Sequence, residues 1–274
     1  MSSTAYHLHG DALSGSVVWT CEHASGAAPA DWPLSDSDAR WCTTHWGHDR
    51  GAAPLVRALQ QRLGGPAIYG AHSRLLVDLN RAPDDPELCR DRVEGQPFPP
   101  NTGLTVDQRE QRLQRYYHPY HEALDRLLTE RTTAGVPTLL FSVHTFTALY
   151  EGRPRTLDAG VLFDETDSGA AALLLDGLRS RSSAVVEANA PWSGLLGLIY
   201  SVARHGAVHR VPYLELEVRD DLLVGPEPRD WRAPIPVRPA GLKWWADAVS
   251  EALRPVLDHF ARPGGGGDLL QARV

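Results

Sequence analysis

The chain has 274 residues, 42% hydrophobic and 22% charged, with a net charge of -7 at neutral pH. That length supports one large domain with a substantial core. The acidic balance argues against a general nucleic-acid binder, whose phosphate contacts need a basic surface.

No apolar run approaches the roughly 20 residues of a membrane span. The first residues lack a basic stretch followed by an apolar one, so no signal peptide is expected. Cys21, Cys42 and Cys89 have no zinc-finger spacing and suit reduced thiols in a cytoplasmic protein. Residues 1–15 have mixed character and predict an irregular lead-in. The apolar run 17–20 predicts a buried strand with a turn at 21–25. Residues 26–37, rich in Ala, Pro, Asp and Ser, predict a surface loop. A helix is expected from Asp49 to about Leu63, where Leu55, Leu59 and Leu63 recur at helical spacing; Gly64, Gly65 and Pro66 end it. Stretches 67–69 and 75–79 read as strands, and 83–101 as a long proline-rich loop of the kind that is often functional.

Thr105 and Gln108 have capping-box spacing. The helix they open runs to about Thr132, with Leu113, Tyr117, Tyr120, Leu124, Leu127 and Leu128 on its inner stripe. The run 136–143, continuing to Phe146, predicts a strand buried on both faces. A short strand follows at 160–163, a helix at 170–180 and an edge strand at 184–188, while 195–204 suits either helix or loop. Residues 211–218 form a strand with Leu214 and Leu216 on one face and Glu215, Glu217 and Arg219 on the other. A proline-rich linker at 225–239 leads to an amphipathic helix at 242–260 that contains Pro255. The glycines at 264–267 open a tail expected to be disordered.

In open α/β sheets, ligands bind beyond the carboxyl ends of the strands. Four apolar runs end in residues capable of chemistry: VVWTCEHAS at 17–25, LLVDLNR at 75–81, LLFSVHTF at 139–146 and YLELEVRDD at 213–221. Two imidazoles and a carboxylate are a common ligand set for catalytic zinc. His23 and His144 are the imidazole candidates, and Glu22 and Asp49 the acidic ones; Asp49 also suits a helix start. The chain has no HExxH. Asn80 and Arg81 either clamp a carboxylate or sit in an Asx-type turn with a surface arginine. Glu215 and Glu217 are either a buried general base and its neighbour or members of a structural pair with Arg219. His118 and His121 share a helix, where packing suits them better than ligation. Cys21 lacks an orienting partner for thiol catalysis, and no GxSxG or GxxxxGK stands in the chain.

These residues fall within a wider set of motifs. CEHAS at 21–25, HDRGA at 48–52, SRLLVDLNR at 73–81 and G-x-P-F-P-x-N at 95–101 are followed by PYH at 119–121, VHTF at 143–146 and ELEVRDDL at 215–222. With this ordered set the chain resembles the N-formylglutamate amidohydrolase family. The resemblance implies a fold like that of the zinc carboxypeptidase and aspartoacylase group. That is an α/β single domain over 1–262, its mixed, mostly parallel sheet flanked by helices in a three-layer sandwich. It also implies a zinc, or another divalent metal, on His23, His144 and a carboxylate. The relatives carry an acid a few positions after the first histidine, where this chain has Ser25, Gly26 and Ala27, which leaves Glu22 or Asp49. Asn80 and Arg81 would clamp a small-molecule substrate through its carboxylate, with Arg74, His121 and Arg219 as further contacts, and Glu217 would be the general base.

The activity implied is hydrolysis of the N-formyl or N-acyl amide of an acidic amino acid such as N-formylglutamate, giving formate and glutamate in amino-acid catabolism. The same site could serve a carboxypeptidase or peptide amidase, or a non-catalytic ligand-binding protein. The sequence carries no signal for oligomeric state.

Overall fold

The apolar runs that begin at Val17, Leu139 and Tyr213 lie side by side in the middle of one seven-stranded sheet. The computed structural model describes residues 4–181 and 183–261. In chain order the strands are β1 (Tyr6–His9), β2 (Val17–Cys21), β3 (Ala67–Gly70), β4 (Leu139–Phe146), β5 (Ala159–Leu162), β6 (Val186–Ala188) and β7 (Tyr213–Arg219). Across the sheet they run β1-β3-β2-β4-β7-β5-β6. β3, β2, β4 and β7 are mutually parallel, β1 and β5 pair antiparallel with their inner neighbours, and β6 runs parallel to β5. Every residue of β2 and β4 is buried, as expected for strands covered on both faces.

Helices α1 (Asp36–Cys42), α2 (Ala52–Leu63), α3 (Val106–Arg112), α4 (His118–Thr133), α5 (Ser168–Arg181), α6 (Tyr200–His209) and α7 (Pro239–Ala261) complete the layers. On one side α2, α5 and α7 bury Val17, Trp19, Phe141, Leu214 and Leu216. On the other, α4 and α6 pack over Val18, Leu140 and Tyr213. Strand side chains alternate between faces, so Val18 and Thr20 share this second face, as do Leu140, Ser142 and His144, and Tyr213, Glu215 and Glu217. Each of the three strands thus turns from apolar to polar as it nears its carboxyl end. That gradient, buried beneath the helical layer, positions the site.

Several local expectations change. Residues 6–9 are an edge strand, Tyr6 opposite Gly70 through His9 opposite Ala67. Its two histidines and its exposure obscured the pattern. The seven-residue α1 begins within the stretch read as loop, where Ser35 accepts a hydrogen bond from the Asp38 amide; a helix so short shows no usable period. The run 75–79 is not a strand. Leu75, Leu76, Val77 and Leu79 are buried, but the chain turns there. The Leu76 amide bonds to Ser73 and the Asp78 amide to Leu88, so no sheet ladder forms. A short apolar run alone does not distinguish a strand from a buried turn. The Thr105–Gln108 capping box is present, and its helix continues through one wider π turn at Leu113–Tyr117 into α4. Residues 195–204 divide into a 3-10 turn at Gly194–Leu196 and the start of α6. The tail at 263–274 lies outside the described residues. Among the described residues no helix is long and apolar enough to cross a membrane.

Candidate metal centre and substrate cavity

His23 stands just past the end of β2, and His144 two residues before the end of β4. Asp49 comes from the loop before α2, where its amide donates to the His23 carbonyl at 2.9 Å. Gly51 then caps α2 with φ near +90°, and a Cβ there would lie 2.8 Å from Leu223 Cβ, so glycine suits this tight entry. These constraints bring three side chains together. Asp49 Oδ2 lies 2.6 Å from His144 Nδ1 and 3.3 Å from His23 Nδ1, and the two Nδ1 atoms are 3.1 Å apart. All three residues are buried.

The outer nitrogens face carboxylates. His23 Nε2 is 2.7 Å from Asp78 Oδ1, and Arg74 donates to Asp78 Oδ2 at 2.7 and 3.0 Å. His144 Nε2 is 3.2 Å from Glu22 Oε2. Glu22 in turn accepts from the Ser142 hydroxyl at 2.7 Å and the Tyr120 hydroxyl at 3.2 Å. Burial acts to raise the Glu22 carboxyl, but the neighbouring His144 imidazole and the Ser142 hydrogen bond outweigh it and hold it below the usual carboxylate range. Glu22 therefore stands behind His144, while Asp49 stands between the two imidazoles. Three donor atoms this close together, with the His23 imidazole held from behind by Asp78 and a carboxylate of Glu22 near the outer nitrogen of His144, suit a divalent ion.

A cavity of about 300 Å³ opens onto this cluster. Glu215 and Glu217 reach it from β7, with Glu217 beside His144 and Glu215 beside Ser142 in register. Burial, with the charge of Glu22, pushes Glu215 up to about 7 against His144 and the Asn80 hydrogen bond. Burial, with the charges of Asp49 and Glu215, pushes Glu217 well above the usual range against His144 and Arg74. Glu217 Oε2 is buried with no hydrogen-bond partner among the described residues.

Asn80, Arg81 and Arg74 line one wall. The Asn80 amide bonds to Asp78 Oδ1 at 2.9 Å, which is an Asx-type turn, and its side chain accepts from the Ser201 amide and donates to Glu215. Arg81 pairs with Asp85 at 2.9 Å and lies 3.5 Å from Asp78. The structural and cavity-facing readings of this stretch therefore coexist.

The structure does not bring Arg219 or His121 to the cavity. Arg219 ends β7 and turns to Asp158 and Asp221, at 3.1 and 2.7 Å, and to the carbonyls of Arg155 and Leu157. The alternation that places it on the face of Glu217 no longer aims it inward where the strand ends. His121 packs between α4 and α6, its Nδ1 2.8 Å from His205 Nε2. There Asp125 takes hydrogen bonds from His205 and His209 and pairs with Arg204.

Other cavity residues escaped sequence reasoning: His45, Trp46, Arg90, Tyr150, Arg155, Trp192 and Tyr200. Most come from connecting segments, which have no periodicity. The one signal is the aromatic and basic stretch FTALYEGRPR at 146–155, two residues after His144.

The family profile described as FGase, N-formylglutamate amidohydrolase, matches residues 15–224. The chain belongs to the N-formylglutamate amidohydrolase family. The matched span contains His23, Asp49, Asp78, His144, Glu215 and Glu217. Among solved structures, a gene product of Agrobacterium tumefaciens shares 26% identity over 95% of this chain and 97% of its own, with a TM-score of 0.82. An N-formylglutamate amidohydrolase from Ralstonia eutropha has the same fold at a TM-score of 0.68, with 19% identity over 93% of this chain and 97% of its own. A search of curated proteins gave no match. This chain carries a buried His–Asp–His cluster at the carboxyl end of its α/β sheet.

Proposed function

We propose that the chain is a zinc-dependent amidohydrolase that cleaves the N-formyl or N-acyl amide of an acidic amino acid, N-formylglutamate being the simplest case. The observation that carries this reading is the meeting of His23 Nδ1, His144 Nδ1 and Asp49 Oδ2 in a cavity that also holds Glu217, whose Oε2 has no hydrogen-bond partner among the described residues. In this reading His23, His144 and Asp49 hold the ion, and Asp78 and Glu22 fix the two imidazoles. A divalent ion there supplies Lewis-acid chemistry, polarising the scissile carbonyl and lowering the pKa of water.

Glu217 takes a proton from the attacking water and delivers it to the leaving nitrogen. The new carbon–oxygen bond replaces the carbon–nitrogen bond, and the products are the carboxylic acid and the free amine. Burial makes Glu217 a stronger base, while His144 and Arg74 moderate that effect. Arg81 offers a planar fork to a substrate carboxylate, and Asn80 holds the wall beside it. Arg74 faces the scissile carbonyl and aids its developing charge. A cavity of about 300 Å³ suits a small metabolite better than a peptide, which favours this reading over a carboxypeptidase.

The test is formate and acetate release from N-formylglutamate and N-acetylglutamate by the purified protein, before and after chelation and zinc return. Chelator-sensitive turnover of either is expected. A protein carrying one zinc per chain that turns over no N-acyl acidic amino acid would sink the reading.

A further inference from the structure

Four arginines line the cavity, and three have carboxylate partners. Arg74 pairs with Asp78 at 2.7 Å, Arg81 with Asp85 at 2.9 Å and Arg90 with Glu87 at 2.9 Å. Arg155 differs. Among the described residues no carboxylate lies within ion-pair distance of it, and its one side-chain hydrogen bond is a long one, 3.4 Å, to the Thr147 carbonyl. Instead its guanidinium sits against three rings, 5.4 Å from the centre of Phe146, 4.6 Å from Tyr150 and 5.4 Å from Trp192. Tyr150 and Trp192 themselves meet edge to face at 6.2 Å.

The clamp is built from local sequence. Phe146 closes β4 two residues after His144. Leu149–Tyr150 and Arg153–Pro154 form a hairpin, and the Arg155 amide bonds back to the Ala148 carbonyl at 2.8 Å. Trp192 reaches over from the loop after β6.

A partly buried guanidinium loses hydration, and aromatic faces return only part of it. Burial pulls Arg155 below the usual arginine range, the cost of a charge without a direct partner. The rings also fix the plane of the fork, so binding an anion costs little further ordering. His45 does not compete for an anion at neutral pH. Burial and the charges of Arg50 and Arg155 push it down to about 4.

We infer that Arg155, held by Phe146, Tyr150 and Trp192, binds a second carboxylate on the substrate, so that the cavity selects a dicarboxylate over its neutral amide counterpart. The inference rests on the reading of this cavity as a site for a carboxylate-bearing amide. It assigns the two anionic ends to two walls: one to Arg81, the other to Arg155.

The experiment compares glutamate and glutamine, which differ only in that second carboxylate, by calorimetry on the protein as purified. Arg155→Gln and Arg155→Lys are measured beside the parent, with thermal melting as a control for folding. The parent should favour glutamate, and Arg155→Gln should reduce that preference about 10- to 100-fold, the span of a charge-assisted hydrogen-bonded pair. Arg155→Lys keeps the charge but loses the fork, and should retain an intermediate preference. It also serves as the test if Arg155→Gln melts early. A parent without preference, a preference that survives in the variants, or an equal loss of both ligands overturns the inference. Formate release from N-formylglutamate is read on the same parent sample. A preference that depends on Arg155 without any hydrolysis keeps the inference and defeats the proposed reaction. Hydrolysis without that preference does the reverse.

Discussion

His23 Nδ1 and His144 Nδ1 lie 3.1 Å apart, and Asp49 Oδ2 approaches both. The two imidazoles present their inner nitrogens to each other, while Asp78 bonds the outer nitrogen of His23 and Glu22 lies 3.2 Å from that of His144. The first prediction separates the carboxylate that faces the ion from the one that orients a ligand. Asp49→Ala or His144→Ala should lose most bound zinc after dialysis. Glu22→Gln should keep zinc at high concentration but bind it about 10- to 100-fold more weakly, the usual cost of losing an outer partner. Elemental analysis and a competing chelator give both readings. If Glu22→Gln is empty and Asp49→Ala is full, the assignment of the two acids is reversed.

A second prediction concerns Arg81, which lines the cavity while pairing with Asp85. Arg81→Lys keeps the charge and loses the planar fork. Binding of a carboxylate-bearing substrate should weaken by about 1.5–3 kcal/mol, the range for hydrogen bonds to charged groups. The melting temperature should change little, because lysine keeps the charge that faces Asp85 in this partly exposed pair. Unchanged kcat/KM on an N-acyl acidic amino acid removes Arg81 from substrate recognition.

The parallel centre of the fold was legible because β2, β4 and β7 each carry an uninterrupted apolar run. The gradient from Val18 to Glu22, from Leu140 to His144 and from Tyr213 to Glu217 pointed to one end of the sheet. Proximity between segments was not legible. Nothing in the spacing of His23 and Asp49 says that the Asp49 amide bonds to the His23 carbonyl, so Glu22, adjacent in sequence, remained an equal candidate. Leu75 to Leu79 had the composition of a strand, and only the hydrogen bonds of Leu76 and Asp78 reveal a turn. Arg219 shares the parity of Glu217, but alternation carries no information once the strand stops. Arg155 depends on three rings from separate segments, a relation that only tertiary structure creates.

The third prediction is a pH dependence of stability. His121 and His205 meet at 2.8 Å between α4 and α6. Burial, with the charges of His205 and Arg204, pushes His121 well below the ordinary histidine range, and burial, with Arg204, pushes His205 below it against its hydrogen bond to Asp125; Glu22 opposes both shifts. His209 and Arg204 also face Asp125, and Tyr117, Tyr120 and Tyr200 pack around His121. Both histidines are therefore neutral in the folded chain at pH values where the unfolded chain, titrating near 6.5, has begun to take up protons. The unfolded state binds more protons, so stability rises with pH through this window and falls as pH drops below about 6.5. Each group contributes a slope approaching about 1.4 kcal/mol per pH unit. Urea titrations between pH 7.5 and 5 should show a shallower slope for His205→Gln than for the parent. Parallel slopes would mean that His205 protonates equally in both states.

A fourth prediction tests a purely structural cation. Arg131 is fully buried near the end of α4 and donates to the carbonyls of Ala12, Ser14 and Gly15 and to the Thr138 hydroxyl, at 2.6 to 2.9 Å. It ties the loop after β1 to the start of β4. Arg131→Met keeps the apolar stem but leaves several partly buried carbonyls without their donor, each costing about 1–3 kcal/mol where water does not reach it. A loss of roughly 3–5 kcal/mol is expected in denaturant unfolding, the upper range for a point substitution. Zinc content of the folded fraction should match the parent. A loss below 1 kcal/mol would show that water replaces the guanidinium.

The last prediction distinguishes Glu217 from Glu215, which lie two residues apart on the same face of β7. Register places Glu217 beside His144 and Glu215 one pleat deeper, beside Ser142. Glu215 already takes a hydrogen bond from Asn80 at 3.2 Å, whereas Glu217 Oε2 has no partner among the described residues. A desolvated carboxylate with one oxygen left unpartnered beside the candidate metal ligands is the better proton acceptor. Glu217→Gln keeps the shape and removes the base, so kcat should fall about 10²–10⁴-fold with zinc content unchanged. Glu215→Gln can still meet Asn80 through its amide and should cost far less activity. The two variants need assay side by side, for turnover and for metal. If Glu215→Gln is the inactive one, proton transfer occurs one pleat deeper than the register of His144 implies. If both retain turnover, neither carboxylate of β7 is the base.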